Sequence, residues 1–142
     1  INNITWQKTN PPPNLACRCF THSTETILWA QKNDKKSRHF FDYQKMKEMN
    51  GGKQMKDVWT GALTKPSEKT EGKHPTQKPE YLLEKIVLAS TEEGQVILDP
   101  FCGSGTTGVE AVRFERKFIG IDVSEEYLEI SKRRLEKVAN DK

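Results

Sequence analysis

The sequence predicts an α/β fold with parallel strands, because two apolar runs that each end in an aspartate flank a glycine-rich turn and a helical segment. The predicted strands are Gln95–Asp99 and Lys117–Asp122, and a helix over 106–114 follows the turn Gly103-Ser104-Gly105. Apolar runs without polar alternation are typical of parallel strands that are covered on both faces. The order strand, turn, helix, strand therefore indicates one right-handed βαβ unit.

Three elements are predicted before this unit. Ile1–Lys8 alternates as a strand does, and Pro11-Pro12-Pro13 ends it, because prolines cannot join the interior of a sheet. The short apolar run Thr26–Ala30 predicts a second, buried strand. Pro79 suits the first turn of a helix, and Gly94 lies in the region where that helix is expected to be capped.

A last helix is predicted after the second aspartate. Ser124 can cap it, and acidic residues follow in the first turn, where the helix dipole favours negative charge. Its expected apolar stripe comprises Leu128, Leu135 and Val138. By contrast, residues 31–72 are lysine-rich, punctuated by glycine and weakly periodic, which predicts an extended polar insertion outside the core.

Composition excludes several classes of protein. The longest apolar runs, such as Ile86–Ala89, are far shorter than a membrane span requires, and no signal peptide is expected. The three cysteines fit no disulfide framework, so we expect a reducing, cytoplasmic location. Cys17, Cys19 and His22 match no common zinc spacing, so no metal site is expected.

Positive charge is concentrated in the middle of the chain. The net charge is only +3, but residues 31–80 contain 12 basic and 7 acidic side chains, interleaved with aromatics such as Phe40 and Trp59. This pattern favours a surface that binds a polyanion. The alternative is a solvated polar insertion with no partner.

The glycine turn carries the most specific signal. Gly103, Gly105 and Gly108 satisfy the fingerprint Gly-x-Gly-x-x-Gly between a strand and a helix, and Asp122 follows Asp99 by 23 residues. Such glycines let the backbone approach a ligand, and the second aspartate can accept both ribose hydroxyls. The pattern predicts an adenosine-containing cofactor, with a purely structural turn as the alternative.

Asp99 bears on which cofactor binds. A carboxylate just before the glycines would repel the pyrophosphate of a dinucleotide. S-adenosylmethionine instead carries an ammonium and a sulfonium that Asp99 would attract. Hydroxyls at Ser104, Thr106 and Thr107 could hold its carboxylate at the helix N-terminus. S-adenosylmethionine is therefore the prediction, and an NAD-dependent oxidoreductase stays the alternative.

At these residues the chain resembles the bacterial DNA amino-methyltransferases, which methylate adenine N6 or cytosine N4. Asp99–Gly108 resembles the cofactor loop of that family, and His74–Pro79 resembles its second cofactor motif in the beta-class order. Phe118–Asp122 is similar to the next strand. The resemblance covers essentially all 142 residues. It implies a Rossmann-like S-adenosylmethionine-dependent methyltransferase fold, with 73–142 as the cofactor-binding βαβα unit.

The resemblance also implies a set of cofactor contacts. The glycine turn would meet the methionine end of the ligand, His74 and Thr76 would approach it from the neighbouring loop, and Asp122 would bind its ribose. The implied cofactor-binding residues are His74, Thr76, Asp99, Phe101, Gly103, Ser104, Gly105, Thr106 and Asp122.

No catalytic residue is assigned in this chain. The catalytic tetrapeptide of the family has a polar residue, two prolines and an aromatic that stacks on the flipped base. Consecutive prolines occur only within Asn10–Asn14, where a third proline replaces the aromatic, so we interpret this segment as unrelated. The chain begins without Met and is expected to be the C-terminal part of a larger enzyme, inactive alone. Residues 1–30 would belong to the catalytic-half sheet, which would be incomplete and unstable without another chain.

Residues 31–72 occupy the target-recognition position of the family, which implies double-stranded DNA as the partner. Basic side chains in this segment would meet phosphates, which give affinity rather than sequence readout. The predicted DNA-binding residues are Lys32, Lys35, Lys36, Arg38, Lys45, Lys47, Lys53 and Lys56.

The resulting prediction is an S-adenosylmethionine-dependent DNA methyltransferase, or its cofactor-and-recognition half, in a restriction–modification setting. Adenine N6 is favoured over cytosine N4 from the form of Trp6-Gln7-Lys8 and Ile27–Ala30. A non-catalytic subunit that binds cofactor or DNA for a partner is the second alternative, beside the oxidoreductase.

Overall fold

The computed structural model describes residues 1–32 and 38–141, and two separate β-sheets carry the fold. The first sheet has the order β2-β1-β3. Its strands are β1 (Asn2–Lys8), β2 (Thr24–Trp29) and β3 (Val58–Gly61). β2 runs antiparallel to β1, and β3 runs parallel to it. The second sheet pairs two parallel strands, β4 (Val96–Asp99) and β5 (Lys117–Gly120).

Four α-helices and one short 3-10 helix complete the described residues. They are α1 (Tyr43–Met49), the 3-10 helix Pro66–Lys69, α2 (Glu80–Ser90), α3 (Thr106–Arg113) and α4 (Glu125–Asn140). α3 packs against both strands of the second sheet and contacts α2 and α4. Within the described ranges, no helix combines the length and the apolar character needed to cross a membrane.

The predicted strands and helices form, with small shifts at their ends. Ser124 caps α4 as expected, because its hydroxyl accepts a hydrogen bond from the Tyr127 N–H at 3.3 Å. The expected glycine cap of α2 is wrong. The helix ends at Ser90, its C-cap Thr91 has an extended backbone, and Gly94 lies in the following turn with φ +78°.

The two sheets share no hydrogen-bonded strand pair among the described residues. In the described part of the chain, only β1 has a strand on both sides, and β2, β3, β4 and β5 each have a neighbour on one side only. The predicted incomplete α/β sheet is therefore confirmed, and each of the two sheets leaves two open strand edges in the described residues.

One face of the second sheet is bare. α3 packs on the face that carries Phe118, since a Cβ at Gly108 would lie 2.5 Å from the Phe118 ring. On the other face four apolar side chains are more than half exposed. They are Val96, Leu98, Ile119 and Ile121. The expectation that these strands are buried on both faces is wrong for this chain by itself.

Residues 31–72 are not the extended insertion that the composition suggests. α1 and β3 lie within this segment, and Met46 and Trp59 are buried. Trp59 pairs with Trp6 across the β1–β3 ladder and joins a core cluster with Leu82 of α2. The expectation that this segment lies outside the core is therefore wrong.

The buried side of α4 also differs from the expected apolar stripe. Leu128, Leu135 and Val138 are only partly buried. The residues of α4 that are buried are Ile130, Ser131 and Arg134. A serine and an arginine inside the fold indicate that this helix faces polar groups, and those groups belong to the glycine turn.

Candidate cofactor site

The glycine turn connects the end of β4 to the start of α3. Gly103 and Gly105 have φ values of +51° and +75°, a conformation that favours glycine. A Cβ at Gly105 would lie 2.0 Å from Ser131 Oγ, and a Cβ at Gly103 would lie 3.0 Å from His74 Nε2. The turn therefore lies closely against α4 on one side and the His74 loop on the other.

Asp122, just after β5, braces the turn from the adjacent strand. One carboxylate oxygen accepts the Gly103 N–H at 2.9 Å, and the other accepts the Ser124 N–H at 2.9 Å. These hydrogen bonds from the Ser124 and Gly103 backbone hold the pKa of the Asp122 carboxyl below its usual value. A carboxylate has about four acceptor positions, so Asp122 keeps acceptor capacity for a ligand hydroxyl.

Asp99 lies at the last position of β4 and is also partly engaged. Its two oxygens accept the Phe101 N–H at 3.1 Å and the Thr107 hydroxyl at 2.7 Å. The Phe101 ring is 87% exposed beside the turn. The Thr107 hydroxyl thus points to Asp99, and the remaining acceptor capacity of Asp99 suits a cationic group.

His74 lies in the loop that precedes α2. Its ring packs edge-on against Tyr127 of α4, with 4.2 Å between the ring centroids. Nδ1 accepts the Thr76 N–H at 3.2 Å. Burial lowers the pKa of His74, so the ring is uncharged at neutral pH. The structure thereby brings this loop next to the glycine turn, an arrangement that only the family resemblance implied.

Ser104 and Thr106 are buried beneath the turn. Thr106 Oγ1 donates to the Lys78 carbonyl at 3.2 Å and accepts from Arg134 Nη1 at 3.0 Å. Its hydroxyl is therefore used inside the protein, and contact of Thr106 with a ligand stays a prediction that rests on its backbone. Sequence reasoning missed Arg134. Helical spacing could have identified it. Arg134 follows Ser131 by three residues and Ile130 by four, which places it on the same face of α4 as Tyr127.

An ion-pair cluster joins the first sheet to the cofactor end. Glu25 of β2 bridges Lys8 at 2.8 Å and Lys78 at 3.0 Å. Burial raises the pKa of Glu25, but hydrogen bonds from the two lysines outweigh it and lower the pKa overall. Both lysine ammonium groups also lie over the Trp6 ring. The end of β1 is thus the end nearest the glycine turn.

The predicted DNA-binding lysines lie at the other end. α1 is joined to the last turn of α2 by a hydrogen bond from the Asp42 N–H to the Ala89 carbonyl. The first residue of α2, Glu80, lies at the cofactor end, and eleven residues of helix span about 16 Å. Lys45 and Lys47 are on α1 and therefore lie far from the turn.

The remaining described members of that set also lie at the far end. Lys32 and Arg38 follow β2, which ends opposite Asn2 at the beginning of β1. Lys53 and Lys56 precede β3, which runs parallel to β1 and so starts at that same end. Lys35 and Lys36 lie outside the described residues. DNA contact by this set stays a prediction, and the structure does not bring it to the glycine turn.

A different basic groove lies beside His74. Its volume is about 600 Å³. The lining residues are Thr64, Pro66, Lys69, Lys73, His74 and Pro75. Sequence reasoning did not single out Lys69 and Lys73, because nothing in the local pattern distinguishes them from the lysines upstream.

The Asn10–Asn14 segment has a structural contact. Asn10 Oδ1 accepts the Leu63 N–H at 2.8 Å, which ties the loop after β1 to the segment after β3. The interpretation that the proline run is unrelated to the catalytic motif stays a prediction.

Comparison with known sequences gives consistent relatives. The chain is 74% identical over 139 residues to the Type II methyltransferase M2.LlaDCHI of Lactococcus lactis subsp. cremoris, which covers 98% of this chain and 52% of the relative. It is 74% identical over 136 residues to M2.DpnII of Streptococcus pneumoniae, covering 96% and 51%. The chain therefore spans about half the length of these relatives.

Comparison with solved structures supports the fold. The crystal structure of an M1.HpyAVI–SAM complex matches with a TM-score of 0.77 and 39% identity, over 95% of this chain and 61% of that one. PvuII DNA methyltransferase, described as cytosine-N4-specific, matches with a TM-score of 0.77 at 21% identity, over 97% and 54%, which bears on the fold alone. The model of the N6/N4 DNA methylase family matches residues 1–133. The chain belongs to this family of DNA methylases.

Proposed function

We propose that this chain supplies the cofactor-binding half of an S-adenosylmethionine-dependent DNA methyltransferase. The whole protein would transfer a methyl group to an exocyclic amino group, with adenine N6 favoured over cytosine N4, in a cytoplasmic restriction–modification system. The observation that carries the proposal is the positive-φ turn at Gly103 and Gly105, held between the carboxylates of Asp99 and Asp122 and beside His74.

The donor set fits S-adenosylmethionine. Asp99 retains acceptor capacity for the cationic methionine end, and Asp122 retains capacity for the ribose hydroxyls. The uncharged His74 ring adds no positive charge that would oppose a sulfonium. When bound, this cofactor supplies an activated methyl group, and the role of the chain is to bind and orient it.

We further propose that the rest of the protein covers the bare face and open edges of this chain. Parallel strands of this kind are normally covered on both faces. The bare apolar face, the open strand edges and the coverage of only 52% of the Lactococcus relative all support a missing half. That half would supply the catalytic tetrapeptide that this sequence lacks.

The proposal is tested on a reconstituted protein, defined as this chain combined with the part of the Lactococcus relative outside the aligned 139 residues. We expect calorimetry to detect S-adenosylmethionine binding and no NAD binding. Asp99→Asn should weaken the Kd for S-adenosylmethionine by roughly 10- to 100-fold, as loss of a hydrogen bond to a charged group does. Glu93→Gln, which neutralises an exposed carboxylate in the loop before β4, is the matched control. Tight binding of NAD alone would favour the oxidoreductase.

Methyl transfer is tested with labelled S-adenosylmethionine and double-stranded DNA. Digestion of the product and mass spectrometry then distinguish N6-methyladenine from N4-methylcytosine. Transfer by this chain alone would contradict the assignment of the catalytic motif to the other half. Absence of transfer in the reconstituted protein, with cofactor binding intact, would favour a non-catalytic subunit.

DNA that presents a base to the turn would lie against the groove of Lys69 and Lys73. We therefore expect Lys69→Ala with Lys73→Ala to flatten the salt dependence of DNA affinity by about two in log–log slope, at 0.9 for each phosphate contact. The pair Lys45→Ala with Lys53→Ala is the matched control from the predicted set, and we expect a smaller change. A larger change for the Lys45 and Lys53 pair would indicate that DNA contacts the predicted lysine set instead of the groove.

A further inference from the structure

Arg134 is a buried cation directly beneath the glycine turn. Only 5% of its surface is exposed. Nη1 donates to the Ser104 carbonyl at 2.8 Å and to Thr106 Oγ1 at 3.0 Å, with the Ser104 hydroxyl at 3.4 Å. Nη2 donates to Glu80 Oε1 at 3.0 Å. One guanidinium therefore joins the turn, the first residue of α3 and the first residue of α2.

Glu80 is itself fixed from several sides. Its second carboxylate oxygen accepts from Arg113 Nη2 at 2.8 Å, and its backbone N–H donates to Glu68 Oε2 at 2.9 Å. Arg113 in turn donates to Glu110 at 2.5 Å. Arg134 is therefore held by a carboxylate that has little freedom to move, and a buried charge left without that partner would be costly.

These contacts determine how the turn presents its backbone. The Ser104 carbonyl is held inward by Arg134, while the Gly105 N–H donates to the Cys102 carbonyl at 2.8 Å. The orientation of the Ser104–Gly105 peptide is thus fixed from both of its polar groups. Thr106 Oγ1 accepts from Arg134 and donates to the Lys78 carbonyl, so these contacts also connect the His74 loop to the turn.

We propose that Arg134 and Glu80 are positioning residues for the cofactor site, acting through the backbone of the turn without touching the ligand. The inference rests on the proposed function for the identity of the ligand. It depends on the planar fork of arginine, which reaches three acceptors at once. Lysine keeps the charge but cannot span Ser104, Thr106 and Glu80 together.

The first measurement is amide hydrogen exchange of the reconstituted protein without cofactor. Arg134→Lys should speed exchange of the Gly105 N–H and of neighbouring turn amides by about tenfold or more, while β1 and β5 keep wild-type rates. Arg133→Lys is the matched control, since Arg133 is the exposed neighbour on α4 and donates to the Glu71 carbonyl at 3.0 Å, away from the turn. This measurement requires no cofactor. It therefore tests whether Arg134 and Glu80 fix the turn even where the proposed function fails.

The second measurement is the Kd for S-adenosylmethionine. Arg134→Lys should weaken it by about 10- to 100-fold, in line with the cost of a misplaced binding group, without lowering the Tm in proportion. Thr106→Val removes one acceptor of Arg134 and keeps the side-chain shape. It therefore tests the positioning role where Arg134→Lys fails to fold. Wild-type exchange in the turn and wild-type affinity in both variants would overturn the proposal. Failure of the wild-type protein to bind S-adenosylmethionine would overturn the proposed function instead.

Discussion

Leu98 provides a direct test of whether the bare face of β4 and β5 is covered in the whole protein. Its side chain is 59% exposed and lies opposite Ile119 in the parallel register. Full burial of such a side chain contributes about 1.5–3 kcal/mol, so covering the exposed part contributes roughly 1–2 kcal/mol. Leu98→Glu would remove that contribution and add the desolvation of a carboxylate, which costs several kcal/mol. At about 1.4 kcal/mol for each tenfold change, association with the other half should weaken at least about 100-fold.

The assay is titration calorimetry of this chain with the remainder of the Lactococcus relative. Leu15→Glu is the matched control, because Leu15 is 90% exposed in the loop after β1 and the chemical change is the same. In the free chain neither variant should shift the Tm by more than a few degrees, since both positions already face solvent. Equal affinity of the two variants for the other half would refute the covered-face argument.

Two further predictions concern the turn and α3. Gly105→Ala should lower the Tm and weaken cofactor binding, because its Cβ would lie 2.0 Å from Ser131 Oγ. Gly94→Ala is the control in thermal unfolding, since Gly94 also has a positive φ but a Cβ there would meet nothing within 4 Å. The difference between the two variants therefore measures the effect of the clash. Burial raises the pKa of Glu110 to about 7, above its ordinary 4.5, so the folded protein retains a proton that the unfolded chain releases in this window. The stabilisation from protonated Glu110 is therefore present below about pH 4.5 and is lost as pH rises to about 7. This loss lowers the free energy of unfolding by at most about 3 kcal/mol. Glu110→Gln should remove that slope in urea titrations at pH 5 and pH 8, and parallel wild-type and variant curves would contradict it.

Local patterns made the cofactor unit predictable. The turn at Gly103–Gly105 depends on backbone conformations that glycine favours, and the strands and helices around it follow from short-range periodicity. The contact between the His74 loop and the turn was predicted only through the family resemblance, because it joins residues 29 positions apart in sequence. Specific motifs can thus carry long-range information that periodicity does not.

The misses share one cause, which is that their partners are distant in sequence. Trp59 lies in a lysine-rich segment and becomes core only by pairing with Trp6 of β1. Arg134 has the composition of a solvated helix residue, yet its partners Ser104 and Glu80 are 30 and 54 residues away. Composition cannot distinguish a buried, fully bonded arginine from an exposed one, because burial depends on acceptors that only the tertiary fold brings together.

The same contacts indicate where the chain alone should be weakest. The turn is held by Asp122, His74 and Arg134, which are all within the 73–142 unit. By contrast, β2, β3, β4 and β5 each leave one edge open in the described residues. Backbone groups at an open edge exchange with solvent unless another strand pairs with them. We therefore expect amide exchange in the isolated chain to be slow in α3 and fast at the open edges of β2, β3, β4 and β5. Addition of the other half should slow exchange selectively at the edges that it pairs with. Uniform strong protection in a monomer would show that the open edges cost no stability and that the missing strands are not needed for the fold.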